Sequence, residues 1–357
     1  MNRTRATGAS SPEARAAPGP RGIEQPGVSV MICTYNSAQR LPETLKHLAA
    51  QRVPEGLPWE VVIIDTGSSD DTKEVARKQW QIHGSPAPMH LLDAPPGLPA
   101  ARREALRRAR HDLVVFCDDD NWLDEAYLRI ARVVMDDDPN IGVLGGWGEA
   151  VFEADPPTWF PRAEAYFAVG PQSDASGDIT EGKGYVYGAG FVIRKTAWNH
   201  VTQLGEESLL GSFRRGSNDK EMCYLIRLAG YAIAYDERLR FQHFMPAARL
   251  EWRSFLAHGY HAHKTATLLE PYTYVLDHDE YASPSRWHWL GMAINHVKWL
   301  IRRSPALLPR HNKTGSWARF RHACRQGNLA GLIYMRQHFK SNCDRVHALQ
   351  LAARRYA

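Results

Sequence analysis

The feature that most constrains this chain is an apolar run that ends in three consecutive aspartates. Residues Leu113 to Cys117 are apolar, and Asp118, Asp119 and Asp120 follow directly. Such a run, bounded by polar residues, is typical of a strand buried on both faces of a parallel sheet. Ligands of open α/β sheets bind beyond the carboxyl ends of strands. The three carboxylates therefore indicate either a site for Mg²⁺ or Mn²⁺, which prefer oxygen ligands, or a solvated acidic turn.

Strands and helices alternate ahead of this run. Patterns typical of strands cover 28–33, 59–64 and 89–92, and patterns typical of helices cover 41–51, a segment from residue 72, and 97–109. This order predicts an α/β fold with a Rossmann-like, mostly parallel sheet and helices on both faces.

Composition limits the class of protein. The 357 residues include 44% hydrophobic and 23% charged residues, which is typical of a globular chain. The excess of 44 Lys and Arg over 39 Asp and Glu is mild, so no nucleic-acid partner is expected. The five cysteines show no C-x-x-C spacing, and no apolar run approaches the ~20 residues of a membrane span. We therefore expect a cytoplasmic protein.

Polar groups follow each of three predicted strands and should meet at one edge of the sheet. Thr34, Tyr35 and Asn36 follow the first strand, and Asp65 follows the second. The ring of Tyr35 could stack on a base, and Asp65 offers acceptors for base or ribose groups. Arg102, near a helix N-terminus, could face phosphates. Packing, turn capping and surface charge are the alternative roles of these three side chains.

Together with a cation, these groups describe a pocket for a nucleoside diphosphate. Neither G-x-x-x-x-G-K-[ST] nor G-x-G-x-x-G occurs, so a P-loop and a dinucleotide site are excluded.

The segments 28–36, 64–70 and 116–122 resemble the three N-terminal motifs of family 2 glycosyltransferases, of the bacterial polysaccharide-biosynthesis type. The resemblance implies the GT-A fold, a nucleoside-diphosphate sugar as donor, usually UDP-linked, and inversion at the anomeric carbon. It also implies a glycan or lipid-linked acceptor.

The same resemblance assigns roles to individual residues. It implies that Tyr35 stacks on uracil, Asp65 binds the base, Asp119 holds the ribose and Asp120 binds the metal. Thr34, Asn36, Arg102 and Asp118 complete the expected donor site. Thr66 departs from the family, which more often has Asp or Asn at that place.

The middle of the chain should supply the acceptor side. The apolar stretch 187–193 is predicted as a strand, and the resemblance implies that Gly188, Ala189 and Gly190 line the sugar pocket. Tight packing of a core strand is the alternative for these glycines.

The resemblance further implies that Asp219 is the general base. The family usually has Gly-Glu-Asp here, so Asn218 replaces the Glu and joins the sugar pocket. Helix capping is the alternative role of Asp219. His243, in a strand-like stretch, is the second expected metal neighbour, with a structural histidine as the alternative.

The chain is expected to divide into a disordered arm over 1–27, a catalytic domain over 28–255 and a helical extension over 256–357. Within the domain, 28–125 form the nucleotide half and 126–255 the acceptor half. In the extension, tryptophans and other apolar residues cluster among basic residues from Trp287 to Arg303. This segment could contact an anionic membrane, at its inner face, or pack on the catalytic domain.

Taken together, these patterns and the resemblance predict an inverting, metal-dependent glycosyltransferase. A nucleotidyltransferase, which would release pyrophosphate, and a non-catalytic sugar-nucleotide-binding protein are the two alternatives.

Overall fold

A computed structural model of the chain describes residues 25–205, 208–210, 217–278, 280–303 and 314–356. The strands in these ranges are β1 (Gln25–Thr34), β2 (Trp59–Asp65), β3 (Met89–Asp93), β4 (His111–Phe116), β5 (Asn121–Leu123), β6 (Ile141–Phe152), β7 (Gly177–Asp178), β8 (Val192–Arg194) and β9 (Ala232–Met245). The α-helices are α1 (Leu41–Ala49), α2 (Thr72–Ile82), α3 (Leu98–Arg108), α4 (Tyr127–Asp137), α5 (Lys195–Gln203), α6 (Asn218–Leu228), α7 (Trp252–Thr267), α8 (Glu270–Leu276), α9 (His288–Arg302), α10 (Trp317–Met335) and α11 (Phe339–Tyr356).

The strands form one mixed sheet in the order β3-β2-β1-β4-β8-β6-β9-β5, and β7 pairs with β9. Strand β1 pairs in parallel with both β2 and β4, and β2 pairs in parallel with β3. Strand β8 runs antiparallel between β4 and β6, while β6 and β9 are parallel. The predicted α/β fold with a mostly parallel sheet is confirmed.

Three details differ from the sequence-based expectation. The predicted strand over 187–193 is a strand only in β8, because Gly190 has a left-handed φ of +71° that breaks the extended backbone. The strand-like stretch expected around His243 extends further toward the N-terminus, as part of one continuous strand, β9 (Ala232–Met245). Strand β1 begins at Gln25, so the last three residues of the predicted arm lie in the sheet, where the Gly27 N–H donates to Asp112. Residues 1–24 lie outside the described ranges.

The C-terminal helices cover one side of the acceptor half, as the predicted helical extension requires. Helix α7 begins before the expected boundary at residue 255, and its Phe255 stacks on Phe320 of α10 with ring centroids 4.2 Å apart. Trp159 stacks on the other side of this pair, 4.7 Å from Phe255. None of the helices in the described ranges is both long and apolar enough to cross a membrane.

Helices α7 and α10 touch through their backbones. A Cβ added at Gly327 would lie 2.2 Å from the carbonyl oxygen of Tyr260, and one at Gly331 would lie 2.6 Å from that of Lys264. Glycine is therefore required at this crossing, because any side chain at 327 or 331 would push α10 away from α7.

We expect Gly327→Ala to lower the free energy of unfolding by about 1–3 kcal/mol, because the added methyl forces the two helices apart. Gly291→Ala is the matched control, since a Cβ at that helical position of α9 meets nothing within 4 Å. Alanine should there be neutral or stabilising by up to about 1 kcal/mol. Urea unfolding of both variants measures the difference, and equal responses would contradict the close packing.

Candidate active site

A cavity of about 730 Å³ opens beyond the carboxyl ends of β1 and β4. Its wall is built from the end of β4, the N-terminal part of α3, the loop before β8, the start of α6, and α7. Nine of the predicted site residues line it: Arg102, Asp118, Asp119, Asp120, Gly188, Ala189, Asn218, Asp219 and His243. The structure therefore brings the phosphate-facing, metal and acceptor candidates to one space.

The candidates for base recognition form a separate patch at the same sheet edge. The ring of Tyr35 is 58% exposed, whereas Asp65 is buried. The backbone N–H of Asn36 donates to Ser68 Oγ at 2.8 Å, and that hydroxyl donates to Asp65 Oδ1 at 2.6 Å. The patch is thus a linked pair of strand-end loops with one exposed aromatic face.

Asp119 joins this patch to the cavity. Thr34 Oγ1 donates to Asp119 Oδ2 at 3.3 Å, and Ser37 Oγ donates to the same oxygen. Arg40 Nη2 pairs with Asp119 Oδ2 at 3.0 Å. Arg40 was not among the predicted site residues, although its position just before the first helix could have indicated it. These groups, at the end of β1 and in the segment that leads into α1, therefore set the orientation of the Asp119 carboxylate.

Arg102 and Asp118 face each other across the inner wall. Burial raises the pKa of Asp118 to about 6, and Arg102, whose Nη2 lies 3.7 Å from Oδ1, opposes that rise. The guanidinium of Arg102 is 4% exposed and lies 5.1 Å from the ring centroid of Phe191. Its Nε lacks a hydrogen-bond partner in the described part of the chain. A buried, incompletely paired guanidinium beside a cavity suits an anionic ligand.

Asp120 and His243 converge on one point, as the sequence analysis expected of metal neighbours. His243 Nε2 lies 3.5 Å from Asp120 Oδ1, and Arg249 Nη1 lies 3.3 Å from Asp120 Oδ2 and 3.1 Å from His243 Nε2. Burial opposes ionisation of Asp120, but His243, Arg249 and Arg40 together lower its pKa. Arg249 is a second cation that the sequence analysis did not assign.

These residues fit a divalent cation that completes its coordination with ligand oxygens and water. The Asp120 carboxylate and the His243 imidazole both contact the guanidinium of Arg249. The same oxygen and nitrogen atoms could therefore face a bound metal cation. Within the described ranges, three or more His, Cys, Asp or Glu side chains do not gather into a metal cage. Mg²⁺ typically uses one or two carboxylates together with substrate phosphates.

Asp219 lines the same cavity from the start of α6. Its Oδ2 accepts the Gly188 N–H at 2.9 Å and its Oδ1 accepts the Lys220 N–H at 3.0 Å. The side chain therefore connects α6 to the loop before β8. Asn218, which is buried, presents an Oδ1 without a hydrogen-bond partner among the described residues, and this oxygen is available to a hydroxyl ligand.

Gly190 is the candidate that the structure removes from the cavity wall. It is absent from the lining, and its carbonyl oxygen accepts the buried hydroxyl of Tyr127. Its left-handed φ turns the chain from the cavity loop into β8. In this structure Gly190 therefore has a packing and turning role, which is the alternative that the sequence left open for these glycines.

Residues 29–201 match the sequence model of glycosyl transferase family 2. Over 110 residues the chain is 31% identical to the poly(ribitol-phosphate) beta-N-acetylglucosaminyltransferase TarS of Staphylococcus aureus, which covers 30% of this chain and 19% of that protein. Over 118 residues it is 33% identical to the undecaprenyl-phosphate 4-deoxy-4-formamido-L-arabinose transferase of Salmonella paratyphi A, covering 33% and 36%. The chain thus matches well under half of the length of these curated relatives.

Among solved structures, the chain resembles the mannosyltransferase PcManGT of Pyrobaculum calidifontis, which was determined in complex with GDP-Man and Mn²⁺. The TM-score is 0.52 at 18% sequence identity, over 88% of this chain and 89% of the other. At this identity the likeness concerns the fold, and the predicted GT-A fold is confirmed.

We expect Gly188→Ala to disturb the site, because the added Cβ would lie 2.7 Å from Arg102 Nη2 and 3.0 Å from Asp219 Cβ. The hydrogen bond from the residue 188 amide to Asp219 should weaken, so deuterium uptake by a peptide spanning 185–191 should rise. Gly182→Ala is the control, since the nearest atom to its Cβ would be 3.8 Å away. Equal uptake in the two variants would contradict this geometry.

Proposed function

We propose that this chain, whose residues 29–201 match the model of glycosyl transferase family 2, transfers a sugar from a nucleoside-diphosphate sugar to a hydroxyl of a glycan or lipid-linked acceptor. The motif resemblance implies a UDP-linked donor. The observation that carries the proposal is the single cavity that Arg102, the aspartates 118–120 and Asp219 share. It offers a cationic group for a diphosphate and, on the other side of Gly188, a carboxylate for proton transfer.

The donor is proposed to lie along the edge formed by β1, β2 and β4. Tyr35 supplies an exposed ring for the base, and Asp65 supplies a buried carboxylate that the Ser68 N–H holds in place. Asp119 would take the ribose, and Arg102 would pair with the diphosphate because its buried guanidinium has only a distant carboxylate partner. The fold neighbour that was solved with GDP-Man and Mn²⁺ supports a sugar nucleotide as ligand class.

We propose Asp120 and His243 as the protein ligands of a divalent cation, Mn²⁺ or Mg²⁺. When bound, such a cation would offset negative charge on the leaving nucleoside diphosphate. Arg249 Nη1 contacts both side chains and, with His243 and Arg40, offsets the charge of the Asp120 carboxylate.

Asp219 is proposed as the general base. Hydrogen bonds from the backbone N–H groups of Gly188 and Lys220 hold the carboxylate at the cavity wall. The acceptor oxygen attacks the anomeric carbon while its proton passes to Asp219, and the bond from that carbon to the diphosphate oxygen breaks. The nucleoside diphosphate leaves with the bonding electrons, and a single displacement inverts the anomeric centre.

We also propose that α9 contacts an anionic membrane surface. One face of this helix packs inward through Ala293, whereas Trp287, Leu290, Ile294, Val297 and Ile301 form an outward stripe with 38 to 68% exposure. Residues 281–357 contain 14 Lys and Arg but a single acidic residue, Asp344. An apolar stripe within a strongly basic region suits the surface of anionic lipids. Contact at the inner face would bring the cavity close to a lipid-linked acceptor.

We expect Asp120→Asn to weaken Mn²⁺-dependent binding of UDP by about 2–4 kcal/mol, because a metal ligand and its pairing are lost. Calorimetric titration with UDP, in the presence and absence of Mn²⁺, measures the coupling directly. Asp124→Asn is the control, since this exposed carboxylate lies outside the cavity. If wild-type UDP affinity does not respond to Mn²⁺, the metal assignment is wrong.

We expect Asp219→Asn to bind UDP normally but to transfer sugar about 10²–10⁴ times more slowly, because an amide cannot take the hydroxyl proton. Asparagine keeps an oxygen for the Gly188 N–H, so folding should survive. Release of UDP from a UDP-sugar with acceptor measures transfer. Release of pyrophosphate from a nucleoside triphosphate would instead indicate a nucleotidyltransferase. Near wild-type transfer by the variant would place the base elsewhere.

The double substitution Ile294→Ser and Ile301→Ser should reduce co-sedimentation with phosphatidylglycerol vesicles at least about tenfold, because two apolar side chains no longer enter the interface. Ile82→Ser in α2 is the matched control, since Ile82 is equally exposed on a different surface. Sedimentation that is the same for both variants would show that the stripe does not contact lipid.

A further inference from the structure

Arg249 contacts both side chains that are proposed as metal ligands, and no step of the proposed reaction uses it. Its Nη1 lies 3.3 Å from Asp120 Oδ2 and 3.1 Å from His243 Nε2. A guanidinium has donors and no acceptor, so the carboxylate oxygen and the Nε2 lone pair both accept from it. The two side chains would use the same lone pairs to bind a metal. Arg249 and a divalent cation therefore compete for the same atoms.

The two ligand side chains are fixed by the sheet. Asn121 of β5 pairs with His243 of β9, and Asn121 Nδ2 donates to Asp120 Oδ1 at 3.2 Å. The Phe244 N–H donates to the Asp120 carbonyl oxygen at 2.9 Å. The side chain of His243 is 4% exposed and that of Asp120 is 16% exposed. These contacts hold both ligands in place independently of Arg249.

Arg249 is held by fewer contacts than its two partners. It lies in the 3₁₀ turn Ala247–Leu250, between β9 and α7, and its side chain is 37% exposed. Among the ion pairs of the described residues, Asp120 is its sole carboxylate partner. Its Cζ lies 5.7 Å from the ring centroid of Phe167, and an aromatic face attracts a guanidinium. The guanidinium can therefore leave the two ligands and keep a favourable contact.

We propose that Arg249 occupies the metal-binding atoms of Asp120 and His243 until a divalent cation displaces it. The inference rests on the proposed metal-dependent transfer and adds the order in which the ligands enter. A guanidinium and a divalent cation beside one carboxylate repel each other, so Mn²⁺ alone must expel the guanidinium and binds weakly. A nucleoside diphosphate brings negative charge that offsets both cations. The metal is therefore expected to enter together with the nucleotide and not ahead of it.

Titration of the full chain with Mn²⁺ alone, with the free ion followed by electron paramagnetic resonance, tests this competition. Arg249→Gln should bind Mn²⁺ at least about tenfold more tightly than the wild type, the gain expected when a charge-assisted contact no longer competes. Arg40→Gln is the matched control, because it removes an equal charge that is paired with Asp119. It should change the Mn²⁺ affinity less than about threefold, as a screened charge does at a partly exposed site.

A second measurement observes the guanidinium in the wild-type chain and so does not depend on the folding of Arg249→Gln. In a chain with isotope-labelled arginine, the Arg249 Nε–H resonance is assigned by its loss in Arg249→Lys. Saturation with diamagnetic Mg²⁺ should shift this resonance. The resonance of Arg240, which pairs with Glu149 outside the cavity, should not move.

Equal Mn²⁺ affinity of the wild type and Arg249→Gln, an equal gain in Arg40→Gln, or an unmoved Arg249 resonance would overturn the inference. A UDP titration of the wild type separates the two proposals. If UDP binding responds to Mn²⁺ while Arg249→Gln leaves the Mn²⁺ affinity unchanged, the competition alone is disproved. If the wild type binds UDP equally without Mn²⁺ and Arg249→Gln abolishes that binding, the arginine replaces the metal, and the metal assignment is wrong as well. A chain that binds no nucleoside diphosphate disproves the proposed function itself.

Discussion

The parallel pairing of β1 with β2 and β4 is the constraint on which the candidate site depends. Thr34 pairs with Asp65 at the ends of β1 and β2, and Met31 pairs with Phe116 near the end of β4. Because parallel strands end at the same edge of a sheet, this register brings the three polar strand-end segments together. The opposite strand direction would place the same side chains at different edges.

The wall facing this edge is held by contacts between distant parts of the chain. The hydrogen bond from Gly188 to Asp219 joins the loop before β8 to α6, and the small residues at the crossing of α7 and α10 set the position of α7. The aromatic stack of Trp159, Phe255 and Phe320 fills the space beneath α7. The shape of the cavity therefore depends on the loop before β8 with α6, on the crossing of α7 and α10, and on the aromatic stack beneath α7. Several of these residues do not line the cavity themselves.

Charge is divided within the cavity in a way that matches the proposed chemistry. Asp118, Asp119 and Asp120 each face a different arginine, at 3.7, 3.0 and 3.3 Å. Three adjacent carboxylates are thereby kept apart from one another and paired with Arg102, Arg40 and Arg249.

The sequence by itself determined the strand-helix alternation, the three strand-end motifs and the amphipathic nature of α9, because each depends on spacing within about twenty residues. Only the tertiary structure decided that β8 runs antiparallel, that Gly190 turns the chain behind the cavity, and that Arg40 and Arg249 pair with aspartates 79 and 129 residues away. It also decided that Lys183 and Lys220 share the ring of Tyr185. Hydrophobic periodicity reports which face of a segment is buried, whereas contacts between segments follow from packing that no local pattern contains.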